Sequence, residues 1–147
     1  MKRYYIYDEV IKNTILDNHM EGKDAIRYFC TAYLEYFQNY PEITTVMFSF
    51  DIFKYNEEAN EKMKSIIKNR YDLLYRLVSE ANEKNEGLIG KEVQALTDSI
   101  FSSLRTITFL WRMENCNFDV KERVLLAIDY LINFKRGEVN EKGFDHR

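Results

Sequence analysis

The 147-residue sequence has a single proline, Pro41, and only five glycines, at positions 22, 87, 90, 137 and 143. Sheets demand frequent turn chemistry, so punctuation this sparse favours long helices. There are two histidines, His19 and His146, and neither follows a glutamate by three residues. A di-iron or di-manganese carboxylate bundle needs Glu-x-x-His on two helices and is excluded on ligand count. Cys30 and Cys116 lack CxxC spacing, so neither a structural zinc site nor a disulfide framework is expected, and a reduced, cytoplasmic compartment is. No apolar run approaches about 18 residues, which predicts no transmembrane span. Asp8, Glu9 and Lys12 interrupt any signal-peptide core. No basic run exceeds Lys2-Arg3 or Lys135-Arg136, and the formal net charge is −3. Nucleic-acid affinity is mainly phosphate neutralisation, so this chain alone is not expected to bind nucleic acid.

Apolar residues make up 46% of the chain and charged ones 31%, the balance of a soluble globular protein. The length suits one domain, expected over residues 1–137, with a polar tail at 138–147 that frays. Aromatic residues are abundant, with 11 Tyr and 10 Phe. That abundance fits a cavity for an apolar or planar ligand; it fits equally an A/T-rich coding bias and a core simply filled with rings.

Spacings of three and four predict a helix over 3–19, with Tyr7, Ile11, Ile15 and Leu16 on its apolar side, and a second over 23–40, with Ile26, Phe29, Cys30, Tyr33, Leu34 and Phe37. Pro41 stops the second. Residues 42–55 are rich in β-branched and aromatic side chains and read as strand or helix. A lone strand would lack a partner, so a short helix is expected. Residues 56–85 form the longest periodic segment, with Met63, Ile66, Ile67, Arg70, Leu74, Leu77, Val78 and Ala81 facing inward.

The stretch 91–137 reads as two consecutive helices broken at Cys116-Asn117-Phe118. The first carries two apolar stripes. One contains Val93, Leu96, Thr97, Ile100, Phe101, Leu104, Ile107 and Trp111; nearly opposite lie Ala95, Ser99, Ser102, Thr106, Phe109, Leu110 and Met113. The next helix repeats the pattern, with Leu126, Tyr130 and Phe134 leaning away from Val120, Val124 and Ile128. Small residues let helix axes approach closely, so the second faces are expected to pair with another copy of the chain as a homodimer.

Catalytic chemistry is scarce. Nucleophilic serine or cysteine catalysis needs a nearby histidine, and the two present sit at a helix end and in the tail. Gly87-Leu88-Ile89-Gly90 lacks the preceding strand and third glycine of a phosphate loop. Neither enzymatic activity nor a metal or cofactor is therefore expected. The remaining possibility is a ligand pocket lined by Phe29, Tyr33, Phe37, Arg70, Tyr71, Leu74, Tyr75, Phe101, Leu104 and Arg105. Arg70 interrupts an inward stripe, so it either snorkels to water or meets a partner such as Asp98, Glu35 or a ligand carboxylate.

Several landmarks share one order: AIRYFCTAYLEYFQNYPEIT with its Tyr40-Pro41-Glu42 stop, VMFSFDIF, NEKNEGLIG, KEVQALTDSIFSSLRTITFLWRM and VLLAIDYLINFKRG. In that order the chain, from about residue 3 to 137, resembles the C-terminal regulatory half of TetR-family transcription regulators. The resemblance implies an all-α, six-helix bundle that holds a small-molecule effector among the helices at 3–19, 23–40, 56–85 and 91–115. It also implies dimerisation as a four-helix bundle from the last two helices of each copy. Residue-level correspondence extends only to the hinges Pro41, Gly87 and Gly137. The family places a DNA-binding helix-turn-helix head ahead of what is here Tyr4, where three residues stand. The sequence therefore reads as a regulatory fragment, a chain started late, or a headless relative that binds ligand or heterodimerises.

Overall fold

The computed structural model describes residues 2–48, 56–85 and 90–133, and among them it is all helical. Five helices run thirteen residues or longer: α1 (Lys2–Asp17), α2 (Gly22–Asn39), α3 (Glu57–Asn85), α4 (Gly90–Met113) and α5 (Val120–Ile132). Between α2 and α3 the chain makes a 3-10 turn, Pro41–Thr44, and one α-helical turn, Thr45–Phe48. The helix expected over 42–55 is thus broken into two short pieces, and residues 49–55 lie outside the described residues. Pro41 opens the 3-10 turn at its first position, where its missing N–H leaves no bond unmade.

Helix α2 is the centre. Ala25, Ile26, Phe29, Cys30, Ala32, Tyr33, Leu34, Tyr36 and Phe37 are all buried and take up somewhat more than half of its circumference, while Asp24, Arg27, Glu35 and Gln38 keep the remaining edge in water. An apolar face this wide needs more than one partner helix to cover it. Helices α2, α3, α4 and α5 accordingly form a closed ring in which each packs mainly on its two neighbours, while α1 lies against α2 and α3. The turn at 41–48 bridges α2 and α4.

Each ring helix turns its predicted stripe inward. Met63, Ile66, Leu74, Leu77, Val78 and Ala81 are buried on α3; Val93, Ile100, Leu104 and Trp111 on α4; Val120, Val124 and Ile128 on α5. The buried hydroxyls Thr97 and Thr108 donate to the carbonyls of Val93 and Leu104, 2.8 and 2.6 Å away, so neither is left unsatisfied. On α1 the expectation holds for Ile11 and Ile15 but not for Leu16, which is 45% exposed. Leu16 is one position, about 100°, past Ile15 and so faces away from α2.

Helix ends are set by local chemistry. Asn56 accepts from the Ala59 amide at 3.1 Å and Asp119 from the Glu122 amide at 3.0 Å, each satisfying an otherwise orphaned first-turn donor. Helix α1 ends where His19 adopts φ +50°, the His19 amide donating to Leu16 and the Met20 amide to Ile15. The same pair of bonds closes α4, with Asn115 at φ +56°. Both are left-handed terminations that glycine fills at least cost.

Replacing His19, an exposed residue, by glycine is therefore expected to raise the unfolding free energy by about 0.5–1 kcal/mol. Urea titration of His19→Gly checks this. An unchanged or lower midpoint would show that the histidine side chain contributes contacts outweighing its backbone strain.

Candidate functional site

Phe29, Tyr33 and Phe37 recur every fourth residue and form one edge of α2. Across from them α3 presents Ile67 and Arg70, one turn apart, and α4 presents Phe101, Leu104 and Arg105. Met47, from the turn after α2, closes the remaining side. The turn is anchored by Arg105, whose guanidinium donates to the Met47 carbonyl at 2.8 Å. Seven of the ten expected pocket residues thus meet around one apolar chamber. Its free volume is only about 20 Å³, enough for about one water.

Tyr71, Tyr75 and Leu74 stand elsewhere. Leu74 is fully buried in the general core. The Tyr71 hydroxyl donates to Asp98 at 2.6 Å while its ring stacks on Tyr75 and meets Phe101 edge-on. Met47 and Ile67 belong to the chamber without having been singled out.

A second, larger cavity lies between α1 and α3. It is an open cleft of about 360 Å³ lined by Asp8, Glu9, Lys12, Asn69, Asp72, Leu73 and Arg76, with Tyr33 and Arg70 as its floor. Tyr33 and Arg70 therefore form the wall common to both cavities. They are held there by Asp8. The Arg70 Nε donates to Asp8 Oδ1 at 2.9 Å, the Tyr33 hydroxyl donates to the same oxygen at 2.5 Å, and the guanidinium lies 4.8 Å above the Tyr33 ring.

Neither Asp98 nor Glu35 is the acidic partner of Arg70: Asp98 takes the Tyr71 hydroxyl and Glu35 pairs with Lys121. The signal that finds Asp8 is its spacing, three residues before Ile11 and seven before Ile15. A carboxylate inside the buried stripe of α1 matches a guanidinium inside the buried stripe of α3. Next to it, Tyr7 stacks on Tyr36 with ring centroids 3.6 Å apart, giving α1 an aromatic contact beside its ionic one.

Environment raises the pKa of three tyrosines and a thiol, Tyr7 mainly through burial, and lowers that of Glu21 through its bond to Lys84. Burial pushes the Tyr33 hydroxyl well above the usual tyrosine range, with Arg70 opposing the shift and Asp8 adding to it. Desolvation and the bond to Asp98 push Tyr71 up to about 12. Burial does the same to the Cys30 thiol, also to about 12. Among the described residues no group of three His, Cys, Asp or Glu side chains is placed to hold a metal ion.

The hairpin of α4 and α5 carries the second apolar face. Ala95, Ser99, Ser102, Thr106, Phe109, Met113, Leu126 and Tyr130 are exposed and Leu110 is half-buried, while Phe134 lies outside the described residues. Phe109 is partly engaged within the chain, its ring 5.0 Å from that of Phe48. Among the described residues no helix is long and apolar enough to cross a membrane. No family model, curated protein or solved structure matches this chain.

Two outcomes follow from the shifted groups. Raised tyrosine values mean that the fold prefers the neutral phenol, a contribution complete below about pH 10 and lost as pH climbs through the folded values. Melting temperature should hold level from about pH 7 to 9 and drop between about pH 10 and 12. Tyr71→Phe should shrink that drop; an equal drop would assign the alkaline instability to other groups. Maleimide at neutral pH should label the half-buried Cys116 and spare Cys30 until denaturant is added, and equal labelling of both would contradict the burial of Cys30.

Proposed function

We propose that this chain is the small-molecule-sensing, dimerising domain of a TetR-like transcriptional repressor, acting in the cytoplasm as a six-helix bundle that pairs through its last two long helices. The observation that carries the reading is the apolar row on the α4–α5 hairpin. Phe109, Met113, Leu126 and Tyr130 are 43%, 63%, 71% and 71% exposed. Large apolar side chains gathered on one outward face mark an association surface. Ala95, Ser99 and Ser102 on the same side would let a helix of a second copy come close.

The sensing half of the reading is supported by the convergence of aromatic side chains and Arg105 on one chamber under the turn at 41–48. An apolar or aromatic effector would enter by displacing Met47. Because Tyr33 and Arg70 are also the points where α1 is fastened, an effector that moves them shifts α1 between two positions. In an intact protein of this kind α1 carries the DNA-reading heads, so their separation follows the effector. The chain itself neither catalyses a reaction nor reads DNA in this account.

A second reading, a helical interaction or scaffold dimer that senses nothing, is favoured by one observation: the chamber holds about 20 Å³. A thermal-shift screen with apolar and aromatic compounds separates the two. Sensing predicts a ligand whose stabilisation disappears in Phe101→Trp, which fills the chamber. A screen without such a compound supports the scaffold.

Both readings require the dimer. Sedimentation velocity should show a dimer in the micromolar range, and Met113→Arg combined with Leu126→Arg should weaken it about a hundredfold or more while leaving helicity intact. A monomeric wild-type chain, or a double variant that stays dimeric, would remove the basis of the reading.

A further inference from the structure

The cleft between α1 and α3 goes unused by an apolar effector, and it has the form of a receptor for a charged one. We propose that it binds a small zwitterion of the amino-acid class, whose carboxylate takes the place of Asp8 on Arg70 and Tyr33 and whose ammonium group faces the acidic rim.

Two donors already converge on a single carboxylate oxygen there, the Arg70 Nε at 2.9 Å and the Tyr33 hydroxyl at 2.5 Å. The carboxylate they hold is the protein's own. Arg70 is nearly enclosed, its side chain 8% exposed, whereas that of Asp8 is 17% exposed and stands on the wet side of the contact. Asp8 is therefore the member that can leave, regaining hydration as it does. A buried guanidinium cannot be left without a counter-charge, so what enters must itself be an anion. A neutral molecule of the same shape fails this condition.

Charge on the rim then selects the other end of the ligand. With Arg70 neutralised by the incoming carboxylate, the cleft keeps three carboxylates, Asp8, Glu9 and Asp72, against two cations, Lys12 and Arg76. Arg76 is also shared with Glu80 at 3.5 Å. The excess is negative, and a cationic group on the ligand offsets it. A volume of about 360 Å³ lies within the roughly 300–1,000 Å³ usual for small-ligand sites. Every lining residue but Leu73 carries a polar side-chain group, which suits a hydrogen-bonding body better than a hydrocarbon tail. Displacing Asp8 also cuts the ionic tie between α1 and α3.

The test is titration of the full chain with each of the twenty standard amino acids singly, followed by amide and side-chain NMR shifts. At least one should saturate, with shifts centred on Asp8, Tyr33 and Arg70. Its deaminated and decarboxylated analogues should each bind at least about tenfold more weakly. Asp8→Asn, which keeps an acceptor for Tyr33 but removes both the competing charge and one rim carboxylate, should tighten binding of the deaminated analogue about tenfold. Saturation by none of the twenty, an analogue that binds as well as the parent, or weaker binding of the deaminated analogue by Asp8→Asn overturns the proposal. An apolar compound that shifts Phe29 and Phe101 while no amino acid binds would overturn this site and leave the effector reading standing. A monomeric chain with amino-acid binding intact would do the reverse.

Discussion

A helix whose apolar face spans more than half of its circumference cannot be covered by one partner; it needs several. Helix α2 imposes that constraint, and the architecture is the answer to it. Phe29, Tyr33, Tyr36 and Leu34 each remove a large apolar area from water, worth roughly 1.5–3 kcal/mol per side chain, but only if partner elements cover the whole of that face. Helices α3 and α5 flank α2 directly, α4 closes the ring between them, and α1 and the turn at 41–48 add contacts to the rest of that face. The ring leaves the hairpin of α4 and α5 with outward faces that nothing within the described residues fully covers.

Into this apolar arrangement the sequence places one guanidinium, Arg70, and its presence organises the polar half of the molecule. A charge in the inward stripe of α3 needs a counter-charge, and Asp8 supplies it from α1. Tyr33, donating to the same oxygen, brings α2 into the contact. Three helices are thereby fixed in register by one carboxylate oxygen, with directional bonds where hydrophobic contact alone would tolerate sliding. The pair also divides the interior, with a nearly filled aromatic chamber on one side and a wet cleft on the other. In the reading proposed above, a ligand in either cavity would act on the position of α1, because both cavities share this wall.

Much of this was legible in the sequence because helical periodicity is a local property. The inward residues of α3 and α5 and both stripes of α4 follow from spacings of three and four. So does the meeting of Phe29, Tyr33 and Phe37 with Phe101 and Leu104. What escaped is non-local or depends on angle. Asp8 is 62 residues from Arg70, and its match rests on two stripes seen together. Tyr71 is adjacent to Arg70 in sequence but about 100° around the helix, which carries it to Asp98 outside the chamber. Chamber volume depends on how rotamers interlock, and no pattern of residue types encodes it. The left-handed end of α1 falls on His19, before the glycine that marks it in the sequence, because the terminating bonds and not the residue type decide where a helix closes.

The central claim is that α1 is held to the ring through the Asp8–Arg70–Tyr33 contact and can move without the ring moving. Hydrogen–deuterium exchange on Asp8→Ala tests it most directly. The account predicts the largest rise in exchange along residues 6–17, a smaller one in α2 and α3 around Tyr33 and the now unpaired Arg70, and the least change in α4 and α5. Exchange that rises equally throughout the ring, or that is unchanged in α1, would contradict it.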